Sequence, residues 1–161
     1  MSARIFAMNL LSQMTRRSGR ALSKYSISVS FLLLCFAPPL FSVDFINNDF
    51  DMALTESKIV EKPLMVFFYT EWCGWCKAMD EMIFSNPEMS DYSSNELVSV
   101  RIDAEKGNGL SLIKKYKVRS YPTVVFLNNR GKEIHRINGF LTPKSFLKMT
   151  KTVVEIFNTT K

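Results

Sequence analysis

The apolar run Leu64 to Tyr69 (LMVFFY) leads, after only three residues, into Cys73-Gly74-Trp75-Cys76. A short run with no polar alternation predicts a strand buried on both faces, which demands covering layers on both sides of a sheet. From Trp72 to Phe84 the spacing turns helical, with Cys76, Met79, Asp80 and Ile83 near one face. A buried strand, a cysteine pair and a helix thus follow one another without a linker. That sequence of events restricts the chain to an α/β arrangement.

The remaining elements are read the same way. Asp44 to Lys62 carries Phe45, Ile46, Phe50, Ala53 and Leu54 at helical spacing and ends before Pro63. Ser85-Asn86-Pro87-Glu88 stops the second helix and opens a short helical turn. Strands are expected at Leu97 to Ile102, Thr123 to Leu127 and Glu133 to Ile137, with a short helix at Leu110 to Tyr116. Thr142 caps a last helix with Pro143 at its first position. That helix buries Phe146, Leu147, Val153, Val154 and Phe157. The expectation is a single domain over residues 44–161, with a central mixed sheet flanked by helices on both faces.

The net charge of +6 points at first to a nucleic-acid or membrane-surface partner. Its distribution argues otherwise. Residues 1–43 hold Arg4, Arg16, Arg17, Arg20 and Lys24 and no acid, which leaves sixteen basic against fifteen acidic residues over the remainder. Ile27 to Leu40 is a 14-residue, mostly apolar stretch behind that basic lead, the layout of a secretory signal peptide. A spanning helix needs roughly 20 apolar residues, and Pro38-Pro39 would interrupt one. Residues 1–43 are therefore expected to be an export signal, cleaved or retained as a short anchor. Export places the domain in the periplasm, and no nucleic-acid partner is expected.

Cys35 lies in that lead, so the mature domain keeps Cys73 and Cys76. At the start of a helix, unpaired backbone N–H groups favour an anion, and the thiolate is the attacking species. Cys73 holds that position. Cys76 lies one turn on, close enough to form a disulfide with it. Attack by Cys73 on a substrate disulfide followed by resolution by Cys76 is ordinary exchange chemistry. Zinc is disfavoured, because two cysteines and the single His135 cannot supply four Cys/His ligands. A purely structural bridge across two residues would constrain the unfolded chain little. No metal or cofactor is expected.

Phe68-Tyr69-Thr70-Glu71-Trp72-Cys73-Gly74-Trp75-Cys76-Lys77 resembles the active-site segment of the thioredoxin superfamily. Tyr121-Pro122-Thr123, with Tyr121 45 residues beyond Cys76, resembles its cis-proline loop, and Gly139 falls where the family has a glycine. The resemblance covers about Asp49 to Phe157. It implies the thioredoxin fold, a cis Pro122 facing the cysteine pair, and pairing of the Tyr121 backbone with substrate main chain.

The chain departs from thioredoxin itself. The family's buried aspartate falls on Phe67 and its lysine near Ser99, so that proton-handling pair is missing. The stretch Cys76 to Asp80 and Ile83-Phe84-Ser85-Asn86-Pro87-Glu88 is similar to the carboxyl-terminal reductase domain of the DsbD electron carriers, which has an acid at the position of Asp80. Asp80 is thus the candidate carboxylate for tuning the pair, alternatively a solvated helix charge, with Glu71 a second candidate. Trp72 and Trp75 flank the nucleophile. Trp72 is expected to pack on the domain and Trp75 to stand exposed as a substrate contact. His135 is expected at the surface, and Met65, Met79, Met82 and Met89 in the core.

These readings lead to an exported, monomeric thiol:disulfide reductase acting on oxidised proteins and recharged by a membrane electron donor of the DsbD type. An oxidase or isomerase using the same cysteines is the alternative. A redox-inert adaptor or chaperone-like module is the alternative from another class.

Overall fold

The central strand expected from LMVFFY is β2 (Leu64–Tyr69), and its alternation explains the layering. Met65 and Phe67 point into one apolar cluster; Leu64, Val66 and Phe68 point into the other. All five are fully buried, each aromatic contributing about 1.5–3 kcal/mol relative to exposure. The computed structural model describes residues 41–160. The apolar stretch of the lead and Cys35 lie outside the described residues.

The elements run β1 (Ile46–Asn47), α1 (Phe50–Val60), β2, α2 (Gly74–Met79), α3 (Pro87–Glu96), β3 (Val98–Asp103), α4 (Gly109–Lys115), β4 (Thr123–Leu127), β5 (Glu133–Asn138) and α5 (Pro143–Thr159). The sheet order is β1-β3-β2-β4-β5. β3 pairs parallel with both β1 and β2, whereas β4 is antiparallel to β2 and β5. The five-stranded mixed sheet is open. Residues of α1 and α4 fill one cluster, and residues of α2, α3 and α5 fill the other.

Three elements differ from expectation. Ile46 and Asn47 form a short strand rather than the start of a helix, because the Asp49 side chain accepts from Met52 N–H at 2.9 Å and starts α1 at Phe50. The expected helical turn after Phe84 is the ten-residue α3, capped by Asn86 with Pro87 at its first position. Third, α2 passes directly into a π-helical turn over Asp80–Phe84. The wider turn sets Met79, Ile83 and Phe84 together in the core while Asp80 remains half-exposed. At the amino-terminal end, Val43 is buried and donates to Phe84 C=O at 2.8 Å, and Ser90 Oγ donates to Ser42 C=O at 2.8 Å.

Candidate active site

The cysteines are placed by the end of β2. Thr70, just past the strand, accepts at its C=O from Cys73 N–H at 3.2 Å, which folds Glu71 and Trp72 into a turn. Cys73 then caps α2. Cys73 and Cys76 are joined in a disulfide with Cα atoms 5.3 Å apart. Cys76 N–H points at Cys73 Sγ, 3.1 Å away, the orientation that would stabilise a thiolate there. The two cysteines are 5% and 2% exposed, Cys73 the more open. They share an apolar cluster with Phe67, Met79 and Phe84.

The loop before β4 joins the site through Tyr121, which packs against the apolar cluster of the cysteines. The Tyr121–Pro122 peptide bond is cis, as the resemblance implied. Pro122 C=O accepts from Gly139 N–H at 2.8 Å. Gly139 has φ of +83°, the left-handed region that a side chain resists, so glycine lets β5 end in reach of Pro122. Thr123 Oγ1 bonds Ser120 C=O at 2.8 Å and closes the loop from the other side. Among the described residues no hydrogen bond occupies the Tyr121 backbone N–H or C=O.

Both tryptophans are exposed, Trp72 by 69% and Trp75 by 64%. This corrects the expected packing of Trp72 on the domain. Its indole Nε1 donates to Glu105 Oε1 at 3.0 Å and its ring meets Tyr121 edge-on, 6.2 Å between centroids. These contacts hold the ring at the surface, beside the cysteines. Trp75 leans on Phe140, 5.5 Å away. Phe140 and Glu105 were not picked out by sequence reasoning. The only cue for Phe140 was its place directly after Gly139. Burial and the nearby charges of Glu105 and Asp103 push the Tyr121 hydroxyl above its ordinary range.

Asp80 points to a different partner from the one its spacing suggested. Its carboxylate pairs with Arg101 on β3, and the guanidinium lies over the rings of Phe45, Phe67 and Tyr69 at 5.1, 5.7 and 5.1 Å. Burial raises the Asp80 carboxyl above the usual range, opposed by the Arg101 charge and hydrogen bond. Asp80 N–H bonds the C=O groups of Cys76 and Lys77, so the residue is tied to the cysteine through the backbone. Phe67 is buried where thioredoxin has its aspartate, and Ser99 Oγ bonds Ser93 Oγ at 2.8 Å. Glu71 is exposed and pairs with Lys106, which also reaches Asp103 Oδ2 at 3.4 Å. His135 is half-buried on β5. Met65, Met79 and Met89 are buried, but Met82 is 52% exposed, against expectation, because it falls on the outer side of the π turn.

A mixed sheet with a disulfide at a helix start and a cis-proline loop beside it defines a thioredoxin-type fold and site. The chain belongs to the thioredoxin-like domain family, whose model matches residues 50–153. It is 32% identical over 108 residues to the thiol:disulfide interchange protein DsbD of Campylobacter jejuni (strain RM1221), a match that covers 66% of this chain and 19% of that protein. The chain spans about a fifth of the length of such curated relatives. Among solved structures, a proposed disulphide-isomerase from Bacteroides thetaiotaomicron superposes with a TM-score of 0.65 at 34% identity, over 73% of this chain and 98% of that one. The DsbH oxidoreductase, with a TM-score of 0.63 at 24% identity over 74% of this chain and 90% of that one, shows the shared fold. The relatives' names speak of thiol:disulfide interchange, disulphide isomerisation and oxidoreduction, chemistry that a paired Cys73 and Cys76 can carry.

Proposed function

We propose that the protein is an exported thiol:disulfide reductase that reduces protein disulfides through Cys73 and Cys76. The observation that carries this reading is the Cys73–Cys76 disulfide at the start of α2, with Cys76 N–H directed at Cys73 Sγ. In the reduced protein, the Cys73 thiolate attacks a substrate disulfide. One substrate sulfur leaves as a thiol after protonation, and a mixed disulfide forms. Cys76 then gives up its proton and attacks Cys73 Sγ. The substrate leaves with two thiols, and the protein is left as the disulfide. Two electrons have passed to the substrate. A membrane electron donor of the DsbD type returns them.

The substrate lies across Tyr121, whose free backbone N–H and C=O accept an extended segment, between the exposed rings of Trp72 and Trp75. Pro122 holds that segment against the cysteines, and Asp80 tunes them. The basic, acid-free lead directs the chain to the periplasm. No helix among the described residues is long and apolar enough to cross a membrane. The domain acts as a monomer.

A second reading, isomerisation, is favoured by the likeness to the Bacteroides structure. Reduction is tested by offering the dithiol-reduced protein a disulfide-linked two-chain protein such as insulin. The linked chains should separate and precipitate at a rate proportional to the protein present, and the double Cys73→Ser, Cys76→Ser variant should be inert. Equal rates with that variant would show that the cysteines do not carry the reaction.

A further inference from the structure

Phe67 fills the strand position beneath the cysteines, and the carboxylate that β3 does bury, Asp103, lies at the strand's end, where it accepts from Glu105 N–H and meets Lys106. Beside Phe67 a different charge pair enters from another direction. Arg101 stands opposite Phe67 in the β2–β3 register. Its guanidinium lies over the Phe67 ring, and Phe67 shares one core cluster with Cys73 and Cys76. Asp80 reaches Arg101 from the first position of the π turn, and its own N–H is bonded to Cys76 C=O. The Arg101 side chain is only 24% exposed, and its Nε is buried without a hydrogen-bond partner in the structure. Among the described residues, Asp80 is the one carboxylate bonded to it.

We infer that Arg101 is a positioning residue for the redox pair. Its ion pair with Asp80 fixes the charge and placement of the carboxylate behind Cys76. It thereby takes the role that a strand-borne aspartate and lysine would otherwise fill. The inference rests on the redox reading of Cys73 and Cys76. Three features of the geometry support it. First, the pair links β3 to the π turn, so a change in either partner is felt at the Cys76 carbonyl. Second, aromatic rings surround the guanidinium, and in such surroundings charge acts over longer range than in water. Third, removing one member leaves the other partly buried and uncompensated. The other charged groups near Asp80 are Glu81 on its own turn and Asp44 in the amino-terminal segment, which lines the same cleft.

The consequence has a sign. Without Arg101, the negative charge of Asp80 is unbalanced and disfavours thiolates. Without the Asp80 charge, that of Arg101 is unbalanced and favours them. Arg101→Met should therefore raise the pKa of the cysteine thiols and make the protein more reducing. Asp80→Asn should do the reverse. Each change should be roughly three- to tenfold in the thiol-exchange equilibrium, about half to one pKa unit.

The test measures thiol titration and the equilibrium with a glutathione redox buffer for the wild type, both single variants, the Arg101→Met, Asp80→Asn double variant and Arg101→Lys. Opposite shifts in the single variants, a double variant returned to within about twofold of wild type, and near-normal values in Arg101→Lys support the inference. Shifts of the same sign, or lowered stability with unchanged titration and equilibrium in every folded variant, overturn it and leave the pair a structural brace. Wild-type protein that reaches no reversible equilibrium with glutathione would remove the redox reading itself, a separate failure.

Discussion

Cys76 N–H lies 3.1 Å from Cys73 Sγ, while Cys73 C=O accepts from the N–H groups of both Cys76 and Lys77. The first cysteine thus has its sulfur at the donor end of the helix. The second donates that N–H from within the first turn and is itself the more buried of the two. On the proposed reading, attack falls to Cys73 and resolution to Cys76. A Cys76→Ser variant should accumulate mixed disulfides with oxidised proteins, visible as dithiol-sensitive bands on non-reducing gels. Equal trapping by Cys73→Ser would reverse the roles.

The exposed rings on either side of the cysteines should matter for large substrates only. Apolar anchors at the centre of a contact are each worth about 1–2 kcal/mol. Trp75→Ala should raise KM for a protein disulfide roughly five- to thirtyfold at constant kcat. Reduction of a small aromatic disulfide such as dithiobis(nitrobenzoate) should be unchanged, because such a molecule spans neither ring. Trp72→Ala should behave alike, with the added loss of its bond to Glu105. Stopped-flow and steady-state assays on the two substrate types separate the outcomes.

Gly109 opens α4 against the end of β3. A Cβ built there would stand 2.0 Å from Asp103 C=O, a backbone atom that cannot turn aside. Gly109→Ala should lower stability by about 1–3 kcal/mol, read as a lower urea midpoint at constant slope. The loop disturbed carries Glu105 and Lys106, which hold Trp72 and Glu71, so protein-disulfide reduction should fall as well.

The Arg136 hydrogen bond holds the Glu133 carboxyl below its usual range, with the charges of Arg136 and His135 adding to the effect. A folded-state value below the unfolded one gives stability that is present above about pH 4.5 and lost as the pH falls through the folded value. Glu133→Gln should therefore be less stable than wild type at pH 7. The difference should shrink as the pH falls below about 4.5, followed by urea midpoints. The effect is small because both partners are partly exposed. Arg136 also donates to Tyr116 C=O at 2.7 Å, which ties β5 to the end of α4.

The parts legible in the amino-acid order were those set by local rules. LMVFFY is apolar throughout because β2 has a core on both faces, and Thr142-Pro143 marks a helix start by side-chain capping and fixed φ. The cysteine spacing and Tyr121-Pro122 named the site for the same reason. What stayed hidden depends on contacts far along the chain. Ile46 is a strand residue only because Val100 lies beside it. α3 hid because it buries Met89 beside the small polar Ser90 and Ser93, a weak apolar stripe. Asp80 looked like a partner of Cys76 because helical periodicity cannot show that Arg101, 21 residues on, meets it from β3. Trp72 looked like a packing residue because nothing nearby in sequence reveals Glu105 and Tyr121 as its supports.

The redox potential of the Cys73–Cys76 couple tests the direction of electron flow most directly, since roughly 30 mV corresponds to a tenfold change in the two-electron equilibrium. Equilibration of the purified protein with glutathione or dithiothreitol buffers, read by thiol alkylation, gives the value. The reductase reading predicts a midpoint close to the roughly −270 mV of thioredoxin. A midpoint near −120 mV, that of a strong oxidant, would contradict it.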